Sequence, residues 1–142
     1  DKGFMANIIN DKWQYLDTKG NILEPSSNGW KVLKNEDQQR YHVYIYDNGP
    51  DYFRGGLARF REGINIDYNK MNIGFMNLEG KIIIPAKFSF AGPFESGYAT
   101  AAIGGEIRRE GEHSRLINPD ERFVIDTKGR KVKTLKSKQE GG

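Results

Sequence analysis

Ile73-Gly74-Phe75-Met76-Asn77-Leu78-Glu79-Gly80-Lys81-Ile82-Ile83-Ile84-Pro85 is the stretch that decides how this chain folds. Apolar and aromatic residues run up to an Asn, two variable residues follow, then a Gly, and β-favouring residues resume. That order spells strand, tight turn, strand. Asn77 has a side chain able to accept from backbone amides at the start of a turn, and Gly80 can take the left-handed conformation that lets the hairpin continue. The form occurs twice more. Trp13-Gln14-Tyr15-Leu16-Asp17-Thr18-Lys19-Gly20 resumes at Ile22-Leu23, and Arg122-Phe123-Val124-Ile125-Asp126-Thr127-Lys128-Gly129 resumes at Val132.

A second piece also repeats. Gly56-Leu57-Ala58 follows Pro50-Asp51-Tyr52-Phe53, and Gly97-Tyr98-Ala99 follows Pro93-Phe94. A unit is thus a hairpin, a Pro-bearing connection and a further strand opened by Gly-x-Ala, with the Ala expected where neighbouring units approach closely. Tyr41-His42-Val43-Tyr44-Ile45-Tyr46 reads as one more strand. Helical periodicity is weak, and 17 glycines argue against long helices. The expected fold is all-β: short antiparallel hairpin repeats packed as a compact twisted meander or an incomplete barrel. Irregular segments are expected at 26–28, 35–40, 65–72 and 104–120, the last being either an elaborated turn or a functional insertion.

With 142 residues the length prior is one domain, taken as 1–135, followed by a basic flexible tail at 136–142. A chain of this size can bury a core without a disulfide or a metal. It has no cysteine, which removes disulfide frameworks, thiolate zinc sites and cysteine nucleophiles together. The net charge of +3 is far below the density of a dedicated nucleic-acid binder, and no apolar run is long enough for a membrane span. The chain opens at Asp1, as expected of a mature protein freed of a signal segment or of a trimmed fragment.

Gly74-Phe75-Met76-Asn77, Gly80-Lys81, Ile84-Pro85, Phe88, Ala91, Pro93-Phe94 and Gly97-Tyr98-Ala99 together form a pattern that resembles the WG-repeat family of bacterial β-repeat proteins. The middle unit, 73–102, carries the match. Units near 13–60 and 122–133 are degenerate; the family's Trp position holds Ile73 and Arg122 in the later units, and its Gly position holds Gln14 and Phe123. Such departures suit the capping units of a short array. The resemblance implies protein interaction, often in exported proteins and bacterial conflict systems, and implies no shared catalytic residue or cofactor.

The residues themselves offer little chemistry. His113 stands beside Glu110, Glu112 and Ser114, too close in sequence for a preorganised triad, whose members come from separate elements. Asp47, Asn48 and Asp51 lack the ligand ladder of a calcium loop, and Gly104-Gly105 lacks the Lys-Ser or Lys-Thr of a phosphate loop. The lysines from Lys128 to Lys138 read as a solubilising edge strand and tail, with no aromatic residue interleaved. The aromatic set is richer: Trp30, Tyr41, Tyr44, Tyr46, Tyr52 and Phe53 crowd one third of the chain, and Tyr and Trp anchor protein interfaces.

The expectation is a non-enzymatic protein-binding domain with no cofactor, no metal and no nucleic-acid partner. Its contact residues are taken as Trp30, Tyr44, Tyr46, Tyr52 and Phe53 with Arg108, Arg109, Glu112 and His113 of the 104–120 segment. An immunity-type inhibitor of a cognate toxin, placed in the periplasm or cell envelope, is the finer expectation. A cytoplasmic location, a small envelope-glycan hydrolase using Asp51 or Glu112 with His113, and a binder of anionic polymers or membrane surfaces are the alternatives.

Overall fold

The computed structural model describes residues 3–64, 70–111 and 113–135. The chain begins with β1 (Phe4–Ile9), β2 (Lys12–Asp17), β3 (Ile22–Glu24) and β4 (Lys31–Val32), which lie side by side in that order as one antiparallel sheet. A 3-10 turn at Glu36–Gln38 leads to β5 (Tyr41–Val43), then to a small ribbon, β6 (Ile45–Tyr46) with β7 (Gly49–Pro50). Next come β8 (Leu57–Glu62), β9 (Asn72–Asn77) and β10 (Ile82–Phe88), which with β5 form a central sheet ordered β10-β9-β8-β5. β11 (Phe90–Ala91) and β12 (Tyr98–Ile103) follow, then a separate hairpin of β13 (Glu106–Glu110) and β14 (His113–Ile117). The chain returns as β15 (Glu121–Asp126) and β16 (Lys131–Leu135), completing a third sheet ordered β11-β12-β15-β16.

Strand takes up 59% of the structure and helix 3%, in several small antiparallel sheets that form no closed barrel among the described residues. The all-β hairpin reading therefore holds. Tyr41 to Tyr46, expected as a single strand, is two: β5 pairs with β8, and β6 leaves at Tyr44 to pair with β7. The 104–120 segment is an elaborated turn, the β13–β14 hairpin. The tail expected at 136–142 and most of the 65–72 segment lie outside the described residues.

The repeat is staggered against the sheets. The Gly-x-Ala strand of one unit pairs with the hairpin of the next: β8 with β9, and β12 with β15. β1 plays that part for the first hairpin, and the register is the same in all three. Phe4 faces Asp17, Leu57 faces Asn77 and Tyr98 faces Asp126, with five further pairs in step behind each. Residues 10–11, 63–71 and 104–120 are thus equivalent connections of very different length.

The three hairpin turns have one chemistry. Oδ1 of Asp17 accepts from the amides of Lys19 and Asn21 at 2.9 Å each, Asn77 Oδ1 from Glu79 and Lys81 at 3.0 Å, and Asp126 Oδ1 from Lys128 and Arg130 at 2.9 Å. The glycine that closes each turn, Gly20, Gly80 or Gly129, has φ of 85°, 73° or 82°, the left-handed region that a Cβ disfavours. The turns that open the Gly-x-Ala strands are also alike: Arg54 bridges Leu57 and Glu95 bridges Tyr98 across two residues of positive φ. That is the primed turn that matches strand twist.

The central sheet is buried on both faces. Leu57, Ile73 and Phe75 join the core shared with the third sheet, where Phe123 and Ile125 meet them. Ala58, Phe60 and Met76 join Tyr15 and Leu23 of the first sheet in a second core. Hence β9 is buried at four successive positions rather than at alternate ones, as a strand covered on both sides should be. Ala58 and Ala99 are both buried, where the sequence placed a close approach.

Candidate functional site

Three of the aromatic residues flagged by the sequence, Trp30, Tyr41 and Phe53, pack against the core shared by the first and central sheets. Trp30 is half-buried, its ring 4.7 Å from Phe4 and 5.0 Å from Tyr15, and its Nε1 donates to the Leu78 carbonyl at 3.2 Å. It lies where a Cβ on Gly80 would stand, so it seals the central hairpin turn against the first sheet. Phe53 meets Phe4 edge-on at 5.9 Å in the same core. Tyr46 and Tyr52 are exposed and form an edge-on pair 6.4 Å apart, with Arg54 near the Tyr52 ring.

Tyr44 stands between these two groups, at the break between β5 and β6. Two arginines project from the same face of β8, two positions apart, and both guanidiniums lie over the Tyr44 ring: Arg59 at 4.2 Å and Arg61 at 4.6 Å. Arg59 is buried and paired. Its Nε and Nη2 donate to Asp51 at 2.9 and 2.8 Å, its backbone N–H donates to the same carboxylate at 2.9 Å, and Nη1 donates to the Ala91 carbonyl at 2.9 Å. Burial, the largest single influence, opposes the charge on Arg59, but the hydrogen bonds and charge of Asp51 together with Tyr44 and Tyr46 outweigh it and hold the guanidinium above its ordinary pKa.

This pairing accounts for Asp51. Both its oxygens are bound to Arg59, so it offers no carboxylate for metal binding or for acid–base work. Asp47 and Asn48, its neighbours in the acidic turn, have φ of 53° and 65° and form the two-residue turn of the β6–β7 ribbon. No group of three or more His, Asp or Glu side chains that could hold a metal occurs among the described residues.

Arg61 opens into a cleft of about 480 Å³ between the central sheet and the inserted hairpin. Its walls carry three cations from three elements: Arg61 of β8, Arg115 of β14 and Arg122 of β15. Tyr44, Ile73, Phe90, Ile107 and Leu116 make the rest largely apolar. No Asp or Glu is among the described residues that line it.

The cleft brings together Tyr44 and the 104–120 segment, the two regions that the sequence marked separately. Of the other predicted contact residues, Arg108 makes an exposed ion pair with Glu106 at 2.7 Å. Glu112 lies outside the described residues, as do the side chains of Arg109 and His113. Sequence reasoning missed Arg61, Arg115 and Arg122. The Arg59-x-Arg61 spacing was a legible sign of two cations on one strand face, but nothing local could bring Arg115 and Arg122 to them.

No helix among the described residues is long and apolar enough to cross a membrane. No curated protein and no solved structure matches the chain. Residues 73–106, which span β9 to the start of β13, match the family model of the WG containing repeat, over the stretch where the sequence pattern of that family runs from Gly74 to Ala102.

Proposed function

We propose that this chain is a non-enzymatic protein-binding domain whose partner docks over the cleft between the central sheet and the β13–β14 hairpin. The observation that carries the reading is the meeting of Tyr44 with the inserted hairpin in a concave, part-apolar site lined by Arg61, Arg115 and Arg122. Arg and Tyr are enriched among the residues that dominate binding energy at interfaces. The sequestration of Asp51 by Arg59 adds support, because it withdraws one of the two carboxylates on which a hydrolytic alternative leaned. The finer role is an immunity-type inhibitor that occupies a cognate toxin, in an exported protein of the bacterial periplasm or envelope. That finer role rests on the resemblance to WG repeats.

Affinity capture from envelope and cytoplasmic fractions of the source organism, with calorimetry on each captured protein, tests the reading. One stoichiometric partner whose complex forms without turnover supports it, and a partner with toxin activity that is lost in the complex supports the finer role. Capture of no protein from either fraction, or a chemical change in the captured molecule catalysed by this domain, overturns it.

A further inference from the structure

We propose that the outer edge of β1 is an interface whose occupant is the same strand of a second copy of this chain, paired antiparallel about a twofold axis at Ala6. This surface is separate from the cleft, goes beyond the protein-binding reading and stands without it.

The backbone of β1 fixes which groups are offered. Asn10 and Asp11 form a two-residue turn that closes on Ile9 and Lys12. Ile9, Asn7 and Met5 therefore exchange hydrogen bonds with β2, while Phe4, Ala6 and Ile8 turn their amides and carbonyls away from it. Accordingly, the Ile8 N–H donates to the neighbouring Asn7 Oδ1 at 2.8 Å. In the other two sheets the same positions take an antiparallel strand. By the shared register, Asn7, Ile8 and Ile9 correspond to Phe60, Arg61 and Glu62, which pair with β5. Asn7 and Ile8 likewise correspond to Ala101 and Ala102, which pair with β11. Among the described residues no strand lies on the outer edge of β1.

The remaining sheet edges are blunted. β4 and β11 are two residues long and β5 is three. β10 carries Pro85 and is broken by two register shifts, and β16 carries Lys131 and Lys133 with a shift in its pairing. Such features keep edges from pairing with other chains. β1 has none of them: it runs for six residues without charge or proline and stays in register with β2 throughout.

The sequence of β1 suits a copy of itself. An axis at Ala6 sets the smallest side chain of the strand against its own equivalent. Phe4 then faces Ile8 of the second copy on one side of the sheet, and Met5 faces Asn7 on the other. Ile8 is 54% exposed and Met5 55%, so both gain cover, and an aromatic residue opposite a β-branched one is a favourable cross-strand pair. No like charges meet, whereas β16 centred on its own copy would set Lys133 against Lys133. The pairing joins two four-stranded sheets into one and gives the dimer two clefts, so a partner with repeated sites is held at both.

Sedimentation equilibrium on residues 1–142 tests the proposal. One strand pair covers less than the ~1,200 Å² of a stable interface, so a reversible dimer with a dissociation constant of about 10 to 100 µM is expected. Ala6→Pro removes only an amide that β2 does not use, and should weaken the dimer about tenfold or more with an unchanged circular dichroism spectrum. Ile8→Lys, at an exposed position, sets a charge against Phe4 of the second copy and should act alike. Tyr52→Ser, in the other exposed aromatic patch, should leave the dimer as it is. Loss of the dimer in Ile8→Lys with an unchanged spectrum supports the β1 edge even where Ala6→Pro does not fold. A monomer throughout the accessible concentrations, a dimer that survives both β1 substitutions, or one weakened equally by Tyr52→Ser would each overturn the proposal. Each of those results leaves the cleft and its protein partner standing, so the two readings fail separately.

Discussion

The ring of Phe60 lies across the strand pair from Gly74, with its Cζ 2.7 Å from where a Cβ on Gly74 would stand. In the third sheet the same register position is filled the other way round, with Ala101 facing Phe123. The first sheet fills it with Asn7 facing Gln14, whose buried amide oxygen accepts from Gln39 at 2.9 Å. One small and one large residue, or a satisfied polar one, thus occupy a site of fixed width. This explains how the glycine of the repeat pattern can give way to Phe123 in one unit and Gln14 in another without a change of register.

Gly74→Ala should accordingly destabilise the protein. The added Cβ would meet not only Phe60 but the Ile84 carbonyl oxygen at 2.6 Å and the Ala86 nitrogen at 2.7 Å, and backbone atoms cannot swing aside. A loss of about 1 to 3 kcal/mol by urea unfolding is expected, and adding Phe60→Leu should not restore it. Full rescue by Phe60→Leu would show that the ring alone, and not the backbone of β10, demands the glycine.

The buried Asp51–Arg59 pair gives a double-mutant cycle with a defined sign. Asp51→Ala leaves a guanidinium in the core without its carboxylate, at a cost of about 3 to 5 kcal/mol. Replacing both, Asp51→Ala with Arg59→Met, should cost less than Asp51→Ala alone, because the uncompensated charge is gone. Additive losses would mean that Asp51 acts through its bond to the Arg59 amide rather than through the ion pair.

Local chemistry was the legible part of this fold. The turns at Asp17, Asn77 and Asp126 follow from a side-chain acceptor and a glycine three residues later, both printed in the sequence. The stagger of strands across units was not legible, since pairing β8 with β9 rather than with its own hairpin is a non-local choice. For the same reason the aromatic cluster read as a surplus for one sheet face, whereas Trp30 and Phe53 fill a seam between two sheets. The cleft depends on that stagger, which places the long 104–120 connection beside β8. Its arginines therefore had no common signal along the chain.

Tyr15 is buried, and its hydroxyl has no hydrogen-bond partner among the described residues. Burial, with the Asp51 charge as a lesser cause, pushes its pKa far upward. Removing an unsatisfied buried hydroxyl should help: Tyr15→Phe is expected to raise the unfolding free energy by about 1 kcal/mol. A loss of similar size would reveal a bound water on that oxygen.

Acid should weaken the fold in two separate windows. His42 is buried, its Nε2 donates to the Gly63 carbonyl at 2.9 Å, and burial lowers its pKa from 6.5 despite that bond. The folded state then binds its proton less readily than the unfolded chain, so stability present above pH 6.5 declines as pH falls from there toward the lowered value. The second window belongs to Asp17, lowered chiefly by its bond from the Asn21 side chain, and Asp126, lowered chiefly by the Arg130 amide. Both hold stability above pH 3.8 that is lost as pH falls through their lowered values. Unfolding curves across pH should show both declines, and His42→Gln should remove only the upper one. An unchanged upper slope in His42→Gln would assign it to another group.

The inserted hairpin should be separable from the fold that carries it. Ile9 and Lys12 are joined by Asn10 and Asp11 alone, both at positive φ, and Ile103 and Glu121 occupy the same register positions across residues 104–120. Replacing residues 104–120 by Asn-Gly, a pair suited to that two-residue turn, closes β12 onto β15 as β1 is closed onto β2. Shortening the connection lowers its closure entropy while the packing of Ile107 and Leu116 is lost, so stability should stay within about 1 kcal/mol of the parent. The β-sheet circular dichroism spectrum should persist. Binding of any partner that uses the cleft should disappear, because Arg115 and one apolar wall leave with the hairpin. Unfolding of the shortened chain would mean that the hairpin completes the core between the central and third sheets. Retained binding would move the contact surface away from the cleft, toward the exposed Tyr46–Tyr52 pair.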